Sequence, residues 1–412
     1  MKNKLPQQIL NFISLLILST YSISLVIFVN NPSKTYIENY FAYVVLSIFL
    51  VYVIFYRKIF FPKIYIGFVV FFFMSMVLLI FYPSSDSFDL LISLIKIFIF
   101  SIIVYNILIF NNSSISIEIG LIIGLLYSIF SGYYFGRDYF VGFMEQRYAG
   151  TLENPNHYAF MLTVALLLLI RRFLFLIQSK KKYNQYIHLV IRSSIITLIL
   201  IISSEVVFYS ISRQGILIVL LLLTFLFYQT YRESQTIGKI VLVCIASYIS
   251  FVSLQIVRNT PFIYNRLGAL FTFFDSNSSF EMDTSLIYRF KYLGDAYNLW
   301  LENPIFGIGL HQFKHLNQSG VSHNNFLEIL VNNGIVGFIS YYVFYVYIFL
   351  SYIRIKKHNK IDANWLLTVF LMLIIADMTV LTYIEKPNWL IFSIVLFVIH
   401  SYKKDDSITL EL

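Results

Sequence analysis

Charge is scarce in this chain. Only 12% of its 412 residues are Asp, Glu, Lys or Arg, against about 25% in an average soluble domain. No soluble domain of any size can be marked off within it. Cysteine is almost missing. Cys244 stands alone, which excludes an intrachain disulfide and a cysteine-rich metal site. Its place in an apolar run reads as a small buried hydrophobe. Proline is rare, with eight residues, and few of them interrupt apolar runs, so straight helices are expected. A phosphate-binding glycine loop, a His-Glu-x-x-His pair and a nucleophilic serine on a strained turn are all lacking.

What is present is length of apolar sequence. Hydrophobic residues make up 58% of the chain, and runs of about 20 recur from end to end, the mark of a polytopic membrane protein. The fold expected is an all-α integral membrane protein of about twelve transmembrane helices. The spans run Ile9–Val29, Tyr40–Tyr56, Ile64–Tyr82, Leu90–Phe110, Ile119–Phe135 and His157–Ile170, then Leu189–Tyr209, Gln214–Tyr231, Gly238–Val257, Asn325–Tyr347, Trp365–Tyr383 and Trp389–Tyr402. One transmembrane domain accounts for residues 1–412, with a long polar loop at 258–322.

The net charge of +9 does not point to nucleic acid, because the cations are scattered through short loops, where they orient spans. Lys2 and Lys4, Arg57–Lys63, Arg171–Lys182, Arg232–Lys239, Arg354–Lys360 and Lys403–Lys404 all fall on one side of a twelve-span chain. Both termini are then cytoplasmic, in a bacterial inner membrane, and loop 258–322 is extracytoplasmic. Arg137, Arg147, Arg213, Arg258, Arg266 and Arg289 fall on that outer side. Arginine there runs against the topological bias, so a task for some of them is expected.

The outer loop closes on the polar stretch Arg289–Gly337. Apolar residues at Leu286, Ile287, Phe290, Leu293, Ala296, Tyr297, Leu299 and Trp300 suit an amphipathic helix on the membrane surface. Asn303–Pro304 ends it. Ser322 is a good N-cap for the next span, which places His323 at a helix N-terminus. The dipole disfavours a positive charge there, so His323 should stay neutral and able to accept a proton. Asn324 and Glu328 share a face and suit a sugar hydroxyl. Arg213, in the tight turn Ser212–Arg213–Gln214–Gly215, is the best single phosphate ligand, and Arg289 the next, since a guanidinium fork matches phosphate oxygens. Each of these residues also has a plain interfacial reading, with arginine against lipid phosphate. The acid-x-acid pattern Glu281–Met282–Asp283 suits metal-bound sugar nucleotide, which is not expected on that side. Lys96 and Asp377 lie inside spans, where charge is costly, and their roles stay open.

Three pieces together resemble the O-antigen polymerase and O-antigen ligase family. They are Gly150–Thr151 with Asn154–Pro155–Asn156, Ser212–Arg213–Gln214–Gly215, and the composite Arg289, Glu302–Gly309, Phe313, His323–Leu327 and Asn333–Gly337. The resemblance implies joining of glycans carried on polyprenyl diphosphate, with that lipid as donor and acceptor, on the outer face of the membrane. It implies no metal, no cofactor and no nucleic acid. A flippase and a chain-length regulator are the implied partners. By position, His323 would be the base, and Arg213 and Arg289 the diphosphate ligands. Asn324, Arg147 and Arg266 complete the expected substrate-binding set. Asn333 departs from the pattern, since the family often has Glu there.

A polymerase of a surface polysaccharide is the first reading and a ligase the second. A flippase would hold its cations in a central cavity, and a structural protein would scatter them.

Overall fold

The computed structural model describes residues 4–28, 35–135, 147–152, 154–178, 185–259, 284–316, 320–402 and 407–411. The helices are α1 Lys4–Phe28, α2 Thr35–Tyr56, α3 Ile66–Phe81, α4 Ser85–Asn111, α5 Ile115–Phe135, α6 Pro155–Gln178, α7 Gln185–Ser204, α8 Arg213–Glu233 and α9 Thr236–Asn259, followed by α10 Thr284–Glu302, α11 Gln312–Leu316, α12 Asn325–Ile355, α13 Lys360–Asp377 and α14 Lys386–Tyr402. Each of the twelve expected spans overlaps one of these helices, although Trp365–Tyr383 runs past the end of α13 at Asp377 and Leu189–Tyr209 past the end of α7 at Ser204. Among the described residues, nine helices are long and apolar enough to cross a membrane. Helices α9, α13 and α14 are not among the nine. Helix α13 carries Lys360, Asp362 and Asp377 within 18 residues, and α14 has 17 residues.

Helices dominate because a chain without water around it must satisfy its backbone groups internally. Helix α6 is the hub, with 78% of its apolar window buried. It packs against α7, α8 and α13. Cys244 is exposed on α9 rather than buried, which corrects the sequence reading.

The bundle has two ends, and among the described residues three ion pairs join helix ends that the expected alternation of spans puts on the same side. At one end Arg171 meets Asp362 at 3.1 Å and Arg172 meets Glu118 at 2.7 Å. There too β1 Lys58–Pro62 pairs antiparallel with β2 Ser407–Glu411, Lys58 opposite Glu411. At the other end Lys386 meets Glu38 at 2.8 Å.

Two expectations of straight helices are overturned. Helix α7 continues into a wide π-helical segment, Glu205–Ser210. Helix α12 is broken at Gly334, where φ is 63° and ψ −168°. Neither break involves proline. At Gly334 the cause is a docked segment: the chain from Pro304 to Gly309 lies in the gap. Ile308 N–H donates to the Val331 carbonyl at 2.9 Å and Gly309 N–H to that of Asn332 at 2.8 Å. Ile335 and Val336 N–H donate back to Pro304 and Ile305 carbonyls at 2.9 and 3.2 Å. The groups freed by the break are thus paired again, as buried backbone requires. Only glycine permits this approach, since a Cβ on Gly334 would stand 2.1 Å from the Ile305 carbonyl oxygen.

The same docking fixes α10. Ala296 on α10 forms a small buried cluster with Ile308, Phe313 and Val331. The apolar residues expected to share one membrane face are split. Leu293, Ala296, Leu299 and Trp300 turn inward, whereas Ile287, Phe290, Tyr297 and Leu301 are exposed. Arg289 belongs to the inward set by its spacing from Leu293 and Ala296, and is half-buried.

Candidate functional site

The site is built where α6, α8, α10 and α12 begin or turn at the Glu38–Lys386 end of the bundle. Helix α12 is capped by Asn324, not Ser322: the Asn324 side-chain oxygen accepts from Leu327 N–H at 3.1 Å. Ser322 instead braces the approach, donating its hydroxyl to the Asn324 carbonyl at 2.9 Å. Its backbone N–H donates to Glu328 at 2.9 Å. Glu328 also accepts from Asn332 at 3.1 Å and is fully buried. Asn324 and Glu328 are therefore spent on the helix start, and the sugar-facing role expected of Glu328 is withdrawn.

His323 lies one residue before the cap, at φ 51°. That left-handed backbone is uncommon for a residue with a side chain. The residue keeps an exposed surface. Partial burial, then the positive charge of Arg289, then that of His157, push its pKa down to about 4. The neutral state expected of His323 thus has a different origin. Desolvation comes first, then the charge of Arg289, then His157.

His157 is the neighbour that sequence reasoning missed. It stands in the first turn of α6, with Nδ1 3.3 Å from Glu385. Burial raises the Glu385 carboxyl, while His157 and then Lys386 hold it down. Asn156, next in the chain, accepts at one oxygen from Arg147 at 2.9 Å and from the Ser212 hydroxyl at 3.0 Å. Ser212 caps α8 through Gly215 N–H at 3.4 Å, and Arg213 is the first residue of that helix. The turn before it passes through Ile211 at φ 45°, a costly conformation for a β-branched residue and one typical of functional turns.

Thus Arg289 and His157 act on His323 electrostatically, and Ser212, the residue before Arg213, is tied to Asn156, the residue before His157. Arg147 is placed differently. Its guanidinium is buried and also donates to the Ser210 carbonyl at 2.8 Å, tying its loop to the end of the π-helical segment. Arg266 lies outside the described residues, as does Glu281–Asp283. Asn333, the departure from the motif, is buried and donates to Ser75 at 2.8 Å. Asp377 accepts from Tyr342 at 2.9 Å and from Thr382, so it is a buried hydrogen-bond centre beneath the site. Among the described residues no group of three His, Cys, Asp or Glu side chains is arranged to hold a metal.

Only part of the missed set had a local signal. Asn156 belonged to a quoted motif, and Pro155 at the first helical position marked the helix start. Glu385 had none, since it lies more than 200 residues from its partner.

An arginine acting on a neutral imidazole offers a ligand for phosphate oxygens beside a group that can accept a proton. A family model described as O-antigen ligase matches residues 198–342, a range that includes Arg213, Arg289 and His323. No curated protein matches the chain.

Proposed function

We propose that this chain, of the O-antigen polymerase and ligase family, polymerises a surface polysaccharide of O-antigen or capsule type. It would transfer a glycan from polyprenyl diphosphate to a hydroxyl of another lipid-linked repeat unit. The twelve-span reading puts this chemistry on the outer face of a bacterial cytoplasmic membrane. The observation that carries the reading is that Arg289 and His157 lie near enough to help lower the His323 pKa, with Arg289 and His323 within the range matched by the family model.

In this scheme the acceptor hydroxyl attacks the anomeric carbon, and the bond to the lipid diphosphate breaks. Arg213 and Arg289 meet the charge that develops on the departing diphosphate. His323 takes the hydroxyl proton. A base of pKa about 4 is weak at neutral pH. A bound diphosphate offsets the charges of Arg289 and His157 and raises His323 toward the range suited to a general base. Glu385 holds His157 in place through its 3.3 Å contact. A single displacement inverts the anomeric centre. Retention in the product would overturn this scheme.

The printed description of the matching family, O-antigen ligase, favours a second reading, transfer of a finished chain to lipid A–core or another acceptor. Glycan analysis of a deletion strain separates the two. Single repeat units on the final carrier indicate a lost polymerase. Full-length chains stranded on polyprenyl diphosphate indicate a lost ligase. Unchanged glycans would sink both.

A further inference from the structure

A cavity of about 350 Å³ lies between α2, α4 and α14, and its lining does not include His323, Arg289 or Arg213. Its wall is largely apolar, with Tyr43, Leu46, Ile99, Phe100 and Ile103 along it. Tyr43, Leu46 and Ile99 are exposed on the outside of the bundle, so the cavity opens sideways, as a groove, to whatever surrounds the helices.

Three charges enter this groove: Glu38, Lys96 and Lys386. Lys386 holds both oxygens of Glu38 at 2.8 Å. Among the described residues Lys96 has no hydrogen-bond or ion-pair partner, and it is exposed. Two lysines and one glutamate leave one positive charge in an apolar groove. At roughly 1.5 Å per helical residue, Lys96 is about 9 Å below the expected start of its span at Leu90. A lysine at that depth extends its ammonium toward the headgroup region or meets an anion. The chemistry offered is a long hydrocarbon surface with one cation near its outer end.

Lys386 follows Glu385, the partner of His157. The outer mouth of the groove therefore adjoins the reaction cluster. Joining two lipid-linked repeat units requires two lipid carriers to be held at once, and in the glycosyl-transfer reading above Arg213 and Arg289 serve one.

We propose that this groove is a second lipid site, holding the isoprenoid chain of a polyprenyl phosphate lipid along α2 and α4 with its phosphate on Lys96. The assignment of the carrier rests on the glycosyl-transfer reading above, whereas the groove and its charge do not. The occupant is the acceptor's lipid, whose sugar then reaches His323.

The test is photolabelling of the full-length protein in phosphatidylcholine nanodiscs with a photoreactive undecaprenyl phosphate. Label in peptides of α2, α4 and α14 is expected. Lys96→Gln and, independently, Leu46→Trp, which fills the groove, should each lower that label about tenfold, and Lys96→Arg should restore most of it. His323→Ala should label as the natural chain does. Undiminished labelling in both Lys96→Gln and Leu46→Trp overturns the site. Competition by phosphatidylglycerol equal to that by unlabelled undecaprenyl phosphate overturns the carrier assignment. Groove-specific labelling in a protein whose deletion leaves all glycans unchanged upholds the site and removes the glycosyl-transfer reading.

Discussion

The two ends of α6 treat cations in opposite ways. At its C-terminal end Arg171 and Arg172 face carboxylates: Asp362 takes two N–H donors from Arg171 at 3.1 Å, and Glu118 takes two from Arg172 at 3.0 and 2.7 Å. Arg171 is further covered by Phe175 and Trp365, with its guanidinium carbon 5.1 and 4.8 Å from their ring centres. These arginines are staples between helices. At the N-terminal end the carboxylate of Glu385 is paired with a histidine, and the charge of Arg289 is felt by His323 strongly enough to help strip its proton. The same residue type closes a structure at one end and maintains a positive field at the other. Arg171 and Arg172 each bind a carboxylate of a neighbouring helix, whereas Arg289 acts on a histidine.

Variants can break or sharpen this contrast. The largest effect is expected for His323→Ala, which should lower transfer by about 10²–10⁴-fold and abolish long glycan chains while the protein stays in the membrane. Normal long-chain polymer would sink the base assignment. Next comes Arg289→Ala, with a loss of about 10²–10³-fold from weaker charge stabilisation. It also carries a sign. Removing that cation lets the His323 pKa rise from about 4 toward its ordinary value. The acidic limb of the pH–rate profile must therefore move to higher pH, and a limb that stays put or moves down would separate Arg289 from His323.

At the other end the cost should fall on stability. Asp362→Ala leaves Arg171 without its carboxylate and should cost about 3 kcal/mol, as breaking a buried pair does. Thermal unfolding measures this, and the transfer rate per folded molecule should hold. If that rate fell like that of Arg289→Ala, the two ends would not differ in kind. The smallest effect is expected for Asn324→Ala, about 1 kcal/mol from a lost helix cap with a few-fold change in transfer. A loss of transfer beyond about tenfold, near 1.4 kcal/mol in barrier, would show that Asn324 also holds substrate.

Much of this was legible in the chain. Apolar runs marked the helices, and the bias of Lys and Arg indicated which helix ends lie together, as the pairs Arg171–Asp362 and Glu38–Lys386 bear out. The turn Ser212–Gly215 and the stretch Arg289–Gly337 were visible as motifs. His157 and Glu385 were not, because each is ordinary in its local setting and becomes notable only beside the other. The break at Gly334 was hidden for a similar reason. Residues 325–347 read as one apolar helix, and the segment that opens it is docked from outside by Pro304–Gly309. Arg147, expected among the substrate-binding residues, is buried and donates to the Ser210 carbonyl, a contact that its place in an outer loop did not reveal.

By itself the sequence determined a helical membrane chain, the order of its spans, and the residue types available at each end. Hydrophobic periodicity and backbone hydrogen bonding act over short stretches, so those properties are local. The tertiary structure alone decided which arginine is a staple and which is a field, that His323 is neutral through its neighbours, and that α12 must break. Burial and Coulomb interaction depend on distance in space, and the groups concerned are far apart along the chain.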